Sequence, residues 1–158
     1  MLNLSAPFIP QFFQVQLQQI MPYVDVVIGN ESEAEAWAVA TGQPEQKDLA
    51  AVAASIAALP KSNPARPRTV IITQGSKATT VVSSTEPTKP KVYNVLPLKD
   101  EQIVDTNGAG DAFAGGFLGA YILGKSQDEC IEAGHKLGSM CVQQVGPQYQ
   151  WPKVNIFA

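Results

Sequence analysis

Two short runs, Val24-Asp25-Val26-Val27-Ile28-Gly29 and Thr69-Val70-Ile71-Ile72-Thr73, limit the folds open to this chain more than any other feature. They are rich in β-branched residues and lack a sustained apolar–polar alternation. Such runs belong to strands buried on both faces. Around them lie segments with helical patterning: residues 11–21, with apolar Phe12, Phe13, Val15, Leu17 and Ile20; residues 32–41, stopped by Gly42; and the Ala-rich 48–59. Two further helices are predicted over 109–123 and 127–144. Residues 1–4 read as a strand that ends in the turn Ser5-Ala6-Pro7. Pro60, Pro64 and Pro67 break the chain into a surface loop. Residues 79–83 and 91–96 read as a strand pair separated by Pro87 and Pro90. Buried strands alternating with helices predict an α/β fold with a mostly parallel sheet.

Composition narrows the partners. Of 158 residues, 45% are hydrophobic and 16% charged, enough for a buried core. The net charge of −3 offers no basic field for a nucleic acid. The first Lys or Arg is Lys47, so the basic start of a secretory signal is missing. The apolar stretch 112–124 is shorter than the roughly 20 residues that span a bilayer. No membrane and no nucleic-acid partner is expected, and the expected location is the cytoplasm, with the nucleus also open. Cys130 and Cys141 fall on one predicted helix. A rise of about 1.5 Å per residue puts them roughly 16 Å apart, beyond the ~7 Å limit for a disulfide. They read as reduced core thiols.

The chemistry sits in Asp105-Thr106-Asn107-Gly108-Ala109-Gly110-Asp111-Ala112-Phe113-Ala114-Gly115-Gly116-Phe117. Small residues at 108–110 let the backbone approach a ligand. Their amides precede a helix predicted to start near Asp111, and a helix start attracts phosphate. A carboxylate at its rim can take a proton from an attacking hydroxyl. The simpler reading is a turn whose Asp111 caps a helix. Two rival motifs fail. A dinucleotide fingerprint needs Gly or Ala where Phe113 stands. Gly119-Ala120-Tyr121-Ile122-Leu123-Gly124-Lys125-Ser126 fits the P-loop pattern but continues an apolar helix that Gly124 terminates.

The stretch 105–117 resembles the second signature of the ribokinase-like sugar and nucleoside kinases. Asn107, together with Met1-Leu2-Asn3-Leu4-Ser5-Ala6-Pro7-Phe8 and Ile28-Gly29-Asn30-Glu31-Ser32-Glu33, narrows the likeness to the branch of that family that acts on adenosine. Ile72-Thr73-Gln74-Gly75 and Ala133-Gly134-His135 extend it over essentially the whole chain. The resemblance implies a Rossmann-type three-layer α/β/α fold. It implies transfer of the ATP γ-phosphate to the 5′-hydroxyl of adenosine, with Mg²⁺ and a monomeric full-length enzyme. Residue by residue, it makes Asp111 the general base and Gly108, Ala109 and Gly110 the anion hole. Asn30 and Glu33 order Mg²⁺ and phosphate through water. Thr73 and Gly75 line the ATP groove, Gln74 and His135 lie near adenine, Asn107 stands between the substrates, and Phe8 reaches the nucleoside pocket.

Plainer roles compete with each assignment. Asn30 suits a strand-end cap, Glu33 a first-turn acid, and Thr73-Gln74-Gly75 a strand-to-turn junction. His135 suits packing in mid-helix, and Trp37 and Trp151 suit core or surface anchoring. The resemblance begins at an internal stretch of the family pattern. It implies one partial domain over 1–158, the ATP-binding and catalytic C-terminal half. The N-terminal half of the sheet, the lid and most of the nucleoside pocket would lie outside it, leaving apolar sheet surface exposed. An edge strand starting at residue 1 would read the same way. Three readings follow: an adenosine-phosphorylating enzyme, a catalytically incompetent fragment that binds ATP or a protein partner, and a related sugar kinase. Asn107 and the opening segment argue against the third.

Overall fold

The β-branched runs form the centre of a five-stranded sheet of order β1-β2-β3-β4-β5. Its strands are β1 (Leu2–Asn3), β2 (Val26–Asn30), β3 (Thr69–Thr73), β4 (Ala78–Ser83) and β5 (Lys91–Asn94). The computed structural model describes residues 1–146, 148, 152 and 154–156; Trp151 lies outside them. The chain divides into two units, Met1–Asn94 and Val95–Ala158.

In the first unit β1, β2 and β3 are parallel, with Leu2 opposite Val27 and Val27 opposite Val70. β4 and β5 run antiparallel. The sheet is therefore mixed rather than mostly parallel. The reason is local: only residues 74–77 join β3 to β4, whereas a parallel return needs about a dozen residues. Gly75 turns the chain there with φ +56°.

β2 and β3 are buried on both faces, as unbroken β-branched runs require, whereas β5 is largely exposed. Val27, Val70, Ile72 and Val82 pack in one core with Leu17, Trp37, Val52 and Ile56. Ile28, Ile71 and Val81 face the other way and are also buried. Each such fully buried side chain contributes about 1.5–3 kcal/mol. The helices over the first face are α1 (Phe8–Phe12), α2 (Gln14–Ile20), α3 (Glu31–Ala40) and α4 (Leu49–Ala57). α4 lies against β3 and β4, and α3 against β2, β3, α1 and α4.

The helix expected over 11–21 is two helices. Phe13 leaves helical geometry at φ −118°, ψ 29° and divides α1 from α2. Phe8, Phe12, Phe13 and Val15 are exposed, Phe12 by 77%. Apolar surface is thus exposed on α1 and α2, and also at Val92 on β5, while Leu4, just past β1, is buried.

Arg68, in the proline-rich lead into β3, is fully buried. Its guanidinium donates to the carbonyls of Val24 (3.1 Å), Ile56 (3.1 Å), Leu59 (2.6 Å), Met21 (2.6 Å) and Pro60 (3.1 Å). One cation thereby joins the end of α4, the lead into β2 and the loop after α4. Burial lowers its pKa from the ordinary arginine value.

The second unit is built on two helices, α5 (Ala109–Ile122) and α6 (Gln127–Val142). They approach closely because glycines face the contact. A Cβ on Gly116 would lie 2.4 Å from the Ala133 carbonyl oxygen, and one on Gly134 2.8 Å from the Phe113 ring. Gly124 ends α5 at φ +72°. The P-loop-like string is therefore a helix end and not a strand-to-helix turn. Cys130 and Cys141 are buried free thiols on α6.

Candidate active site

In the first unit the candidate residues collect at the carboxyl ends of β2 and β3, the edge where open α/β sheets hold ligands. Asn30 ends β2 and caps α3; Thr73 ends β3 and is its register partner. The Asn30 side-chain oxygen accepts from the Glu33 N–H (2.9 Å) and the Ser32 hydroxyl (2.8 Å). Glu33 folds back in turn. Its Oε2 accepts from the Asn30 N–H (3.0 Å) and its Oε1 from Asn30 Nδ2 (2.9 Å). This is a capping box with Asn in place of Ser or Thr. Glu33 is only 5% exposed. Gly29 makes the fold-back fit, since a Cβ there would meet Leu4 at 2.8 Å and Glu33 Oε2 at 3.1 Å. The Thr73 hydroxyl donates to the Gly29 carbonyl (3.4 Å). Gln74 and Gly75 form the turn beyond it, where the Lys77 N–H bonds the Gln74 carbonyl (3.0 Å). Phe8 lies on α1 and is 52% exposed.

In the second unit the glycine segment turns into α5. Gly108 is the N-cap, left-handed at φ +78°. The helix begins at Ala109, the start of the predicted span 109–123, so Asp111 lies inside its first turn. The N–H of Ala109 reaches the Thr106 carbonyl at 3.3 Å. Among the described residues, the N–H groups of Gly108, Gly110 and Asp111 donate to no protein acceptor. The Asp111 carboxylate is exposed and makes no ion pair among the described residues. Open donors beside an unengaged carboxylate can hold an anion and accept a proton.

The loop before α5 is tied down. Asp105 Oδ1 accepts from the Asn107 N–H (2.9 Å) and Oδ2 from the Gly146 N–H (3.0 Å). These bonds, the Asn107 one first, hold its carboxyl below the ordinary range. The Val142 carbonyl accepts from the N–H groups of Val104 (2.8 Å) and Asp105 (3.2 Å). The Cys141 thiol donates to the Asn107 carbonyl (3.6 Å). Burial, then Asp105 and Asp111, raises the Cys141 pKa, so the thiol stays a donor.

His135 sits on α6 with its ring 5.5 Å from that of Phe113, and burial lowers its pKa. The sequence reading missed Asp105 and Cys141 as supports of the loop. The Asp-x-Asn spacing carried a signal for the first, because Asp favours a bond to the N–H two residues on. Nothing local marked the second.

A family model described as pfkB family carbohydrate kinase matches residues 1–154. The chain belongs to the pfkB carbohydrate kinase family. It is 61% identical to the adenosine kinase of Schizophyllum commune over 155 residues, covering 98% of this chain and 45% of that relative. The crystal structure of Anopheles gambiae adenosine kinase in complex with P1,P4-di(adenosine-5) tetraphosphate superposes with a TM-score of 0.88 at 45% identity, over 92% of this chain and 42% of that one. Schistosoma mansoni adenosine kinase in complex with 2-fluoroadenosine gives a TM-score of 0.88 at 39% identity, over 94% of this chain and 43% of that one. The chain thus spans less than half the length of these pfkB relatives. The fold is the ribokinase-like α/β fold of these neighbours.

The donor set bears on the Mg²⁺ that such kinases imply. No group of three or more His, Cys, Asp or Glu that could hold a metal occurs among the described residues. Both Glu33 oxygens are already engaged by Asn30. This suits Mg²⁺ held through its own waters and substrate phosphates, not in a protein cage. No helix of the described residues is long and apolar enough to cross a membrane.

Proposed function

We propose that this chain is the ATP-binding and catalytic part of an adenosine kinase. It would move the γ-phosphoryl group of ATP to the 5′-hydroxyl of adenosine, yielding AMP and ADP. One observation carries the reading: α5 opens with unengaged N–H groups at Gly110 and Asp111 beside an exposed carboxylate. The 61% identity to an adenosine kinase supports adenosine as the acceptor. The family match across residues 1–154 supports reading 1–158 as one partial ribokinase-like domain.

In this reading Asp111 accepts the proton of the 5′-hydroxyl as its oxygen bonds the γ-phosphorus. The bond from that phosphorus to the bridging oxygen breaks, and its electron pair leaves with ADP. A positioned base of this kind contributes about 10²–10⁴-fold. The N–H groups of Gly108, Ala109 and Gly110 neutralise charge on the phosphoryl oxygens. Asn107 stands between the substrates. Thr73, Gln74 and Gly75 line the ATP groove, His135 lies toward adenine, and Phe8 lies toward the nucleoside. Asn30 and Glu33 order Mg²⁺ through water; when bound, Mg²⁺ supplies charge neutralisation to the phosphates. The enzyme would work as a cytoplasmic monomer.

The test is AMP formation by the purified chain from adenosine and Mg·ATP, with ribose offered as a rival acceptor. AMP supports the assignment, and phosphorylated ribose in its place contradicts it. The coverage of only 45% of the relative favours a second reading, a nucleotide-binding piece without an acceptor pocket. Mg·ATP binding with no AMP would identify that piece.

A further inference from the structure

The turn that opens α5 does not hold itself in place. The tip at Gly108, Gly110 and Asp111 makes no bond through its N–H groups, whereas the strand of chain leading into it is bound at four points to the end of α6 and the residues just beyond. Val104 and Asp105 both donate to the Val142 carbonyl, at 2.8 and 3.2 Å. The Asp105 carboxylate spans two backbone donors 39 residues apart in sequence, the N–H of Asn107 and the N–H of Gly146. Gly146 accommodates this approach with φ +67°. The Cys141 thiol, fully buried, takes the Asn107 carbonyl. Asn107 is thus held from both sides of its peptide plane system, its N–H by Asp105 and its carbonyl by Cys141. The next residue begins the phosphate-facing turn.

We infer that Asp105 and Cys141 are positioning residues that fix the direction of the α5 N-terminal donors by tying Asn107 to the end of α6. This rests on the reading of that turn as a phosphate site, and it names residues outside the turn on which the site depends. A packing role for Cys141 alone would demand only its volume. The tie demands its donor. Likewise a merely solvated Asp105 would be indifferent to amidation, whereas the tie needs two acceptor oxygens. Asparagine offers one.

The experiment is amide NMR on the ¹⁵N-labelled full chain. Hydrogen exchange is measured at Asn107 and Gly146, and shifts induced by Mg·ATP are measured at Gly110 and Asp111. In Asp105→Asn, exchange at Asn107 and Gly146 should rise at least about tenfold, the size of change that losing a bond worth roughly 1.4 kcal/mol gives. The Mg·ATP-induced shifts at Gly110 and Asp111 should shrink at the same ligand concentration. Cys141→Ala should weaken those shifts in the same direction, and Cys141→Ser, which restores a donor, should recover them. Unchanged exchange in Asp105→Asn overturns the inference. So does a Cys141→Ser variant that behaves like Cys141→Ala. If Asp105→Asn does not fold, the Cys141 pair decides. If the unaltered chain shows no Mg·ATP-induced shift, the phosphate-site reading fails, and exchange at Asn107 and Gly146 still judges the tie.

Discussion

The two candidate regions treat their polar groups in opposite ways. At the end of β2, Asn30 and Glu33 satisfy one another: both carboxylate oxygens accept, and the Asn30 oxygen takes two donors. At the start of α5, the donors of Gly108, Gly110 and Asp111 stand open and the acid has no ion-pair partner among the described residues. The difference separates a residue that shapes a site from one that is free to react. A carboxylate engaged in a capping box is poorly placed to take a proton. An unengaged one at a helix start costs little to leave in water and is available to a substrate.

The largest way to break the contrast is to remove what holds the first region in place. Arg68→Ala leaves the Val24 and Leu59 carbonyls without their donor, while those of Met21 and Ile56 keep the N–H groups of Val24 and Leu59. Orphaned groups cost about 1–3 kcal/mol each, so thermal unfolding should show a loss of at least about 2 kcal/mol. A variant that melts like the unaltered chain would remove the guanidinium from the account. Next is Gly134→Ala in the second region, where the new methyl meets Phe113. Overpacking of this kind costs about 1–3 kcal/mol, again read by thermal unfolding.

A matched pair sharpens the comparison. Glu33→Gln can keep only one of two acceptor bonds and should lower stability by about 1–2 kcal/mol. Asp111→Asn makes the same chemical change where no bond is lost, and should stay within about 0.5 kcal/mol. Equal losses in denaturant titrations would erase the distinction. The smallest effect is one of pH. The hydroxyl and N–H of Ser126 bring Glu129 down from 4.5 to about 2. A depressed folded pKa gives stability that is present above the ordinary carboxylate value and lost as the pH falls toward 2. NMR titration should find Glu129 still ionised near pH 3 and returned toward 4.5 by Ser126→Ala.

Much of this was legible because local chemistry and tertiary packing agree. The run 69–73 is β3 with the same bounds, since an unbroken β-branched run between a proline and a glycine has few alternatives. The hairpin 79–83 and 91–96 was visible from its prolines, and β4 and β5 lie there. Gly42 and Gly124 both marked helix ends by their need for positive φ. The Asn30–Glu33 spacing showed a helix start, but not that Glu33 is buried, which depends on Gly29 having no side chain. Nothing in the sequence singled out Arg68, which follows the proline-rich loop. Its burial is sustained by six carbonyls contributed by segments up to 47 residues away. The anchoring of Asn107 by Cys141 spans 34 residues and left no trace in spacing. The turn itself could be read locally; what supports it could not.

The central claim, that the acid at the first turn of α5 accepts the acceptor's proton, is tested most directly by single-turnover phosphoryl transfer from Mg·ATP to adenosine in Asp111→Asn beside the unaltered protein. The account predicts a rate at least about 10²-fold lower with the melting temperature unchanged. Transfer within threefold of the unaltered rate would contradict it.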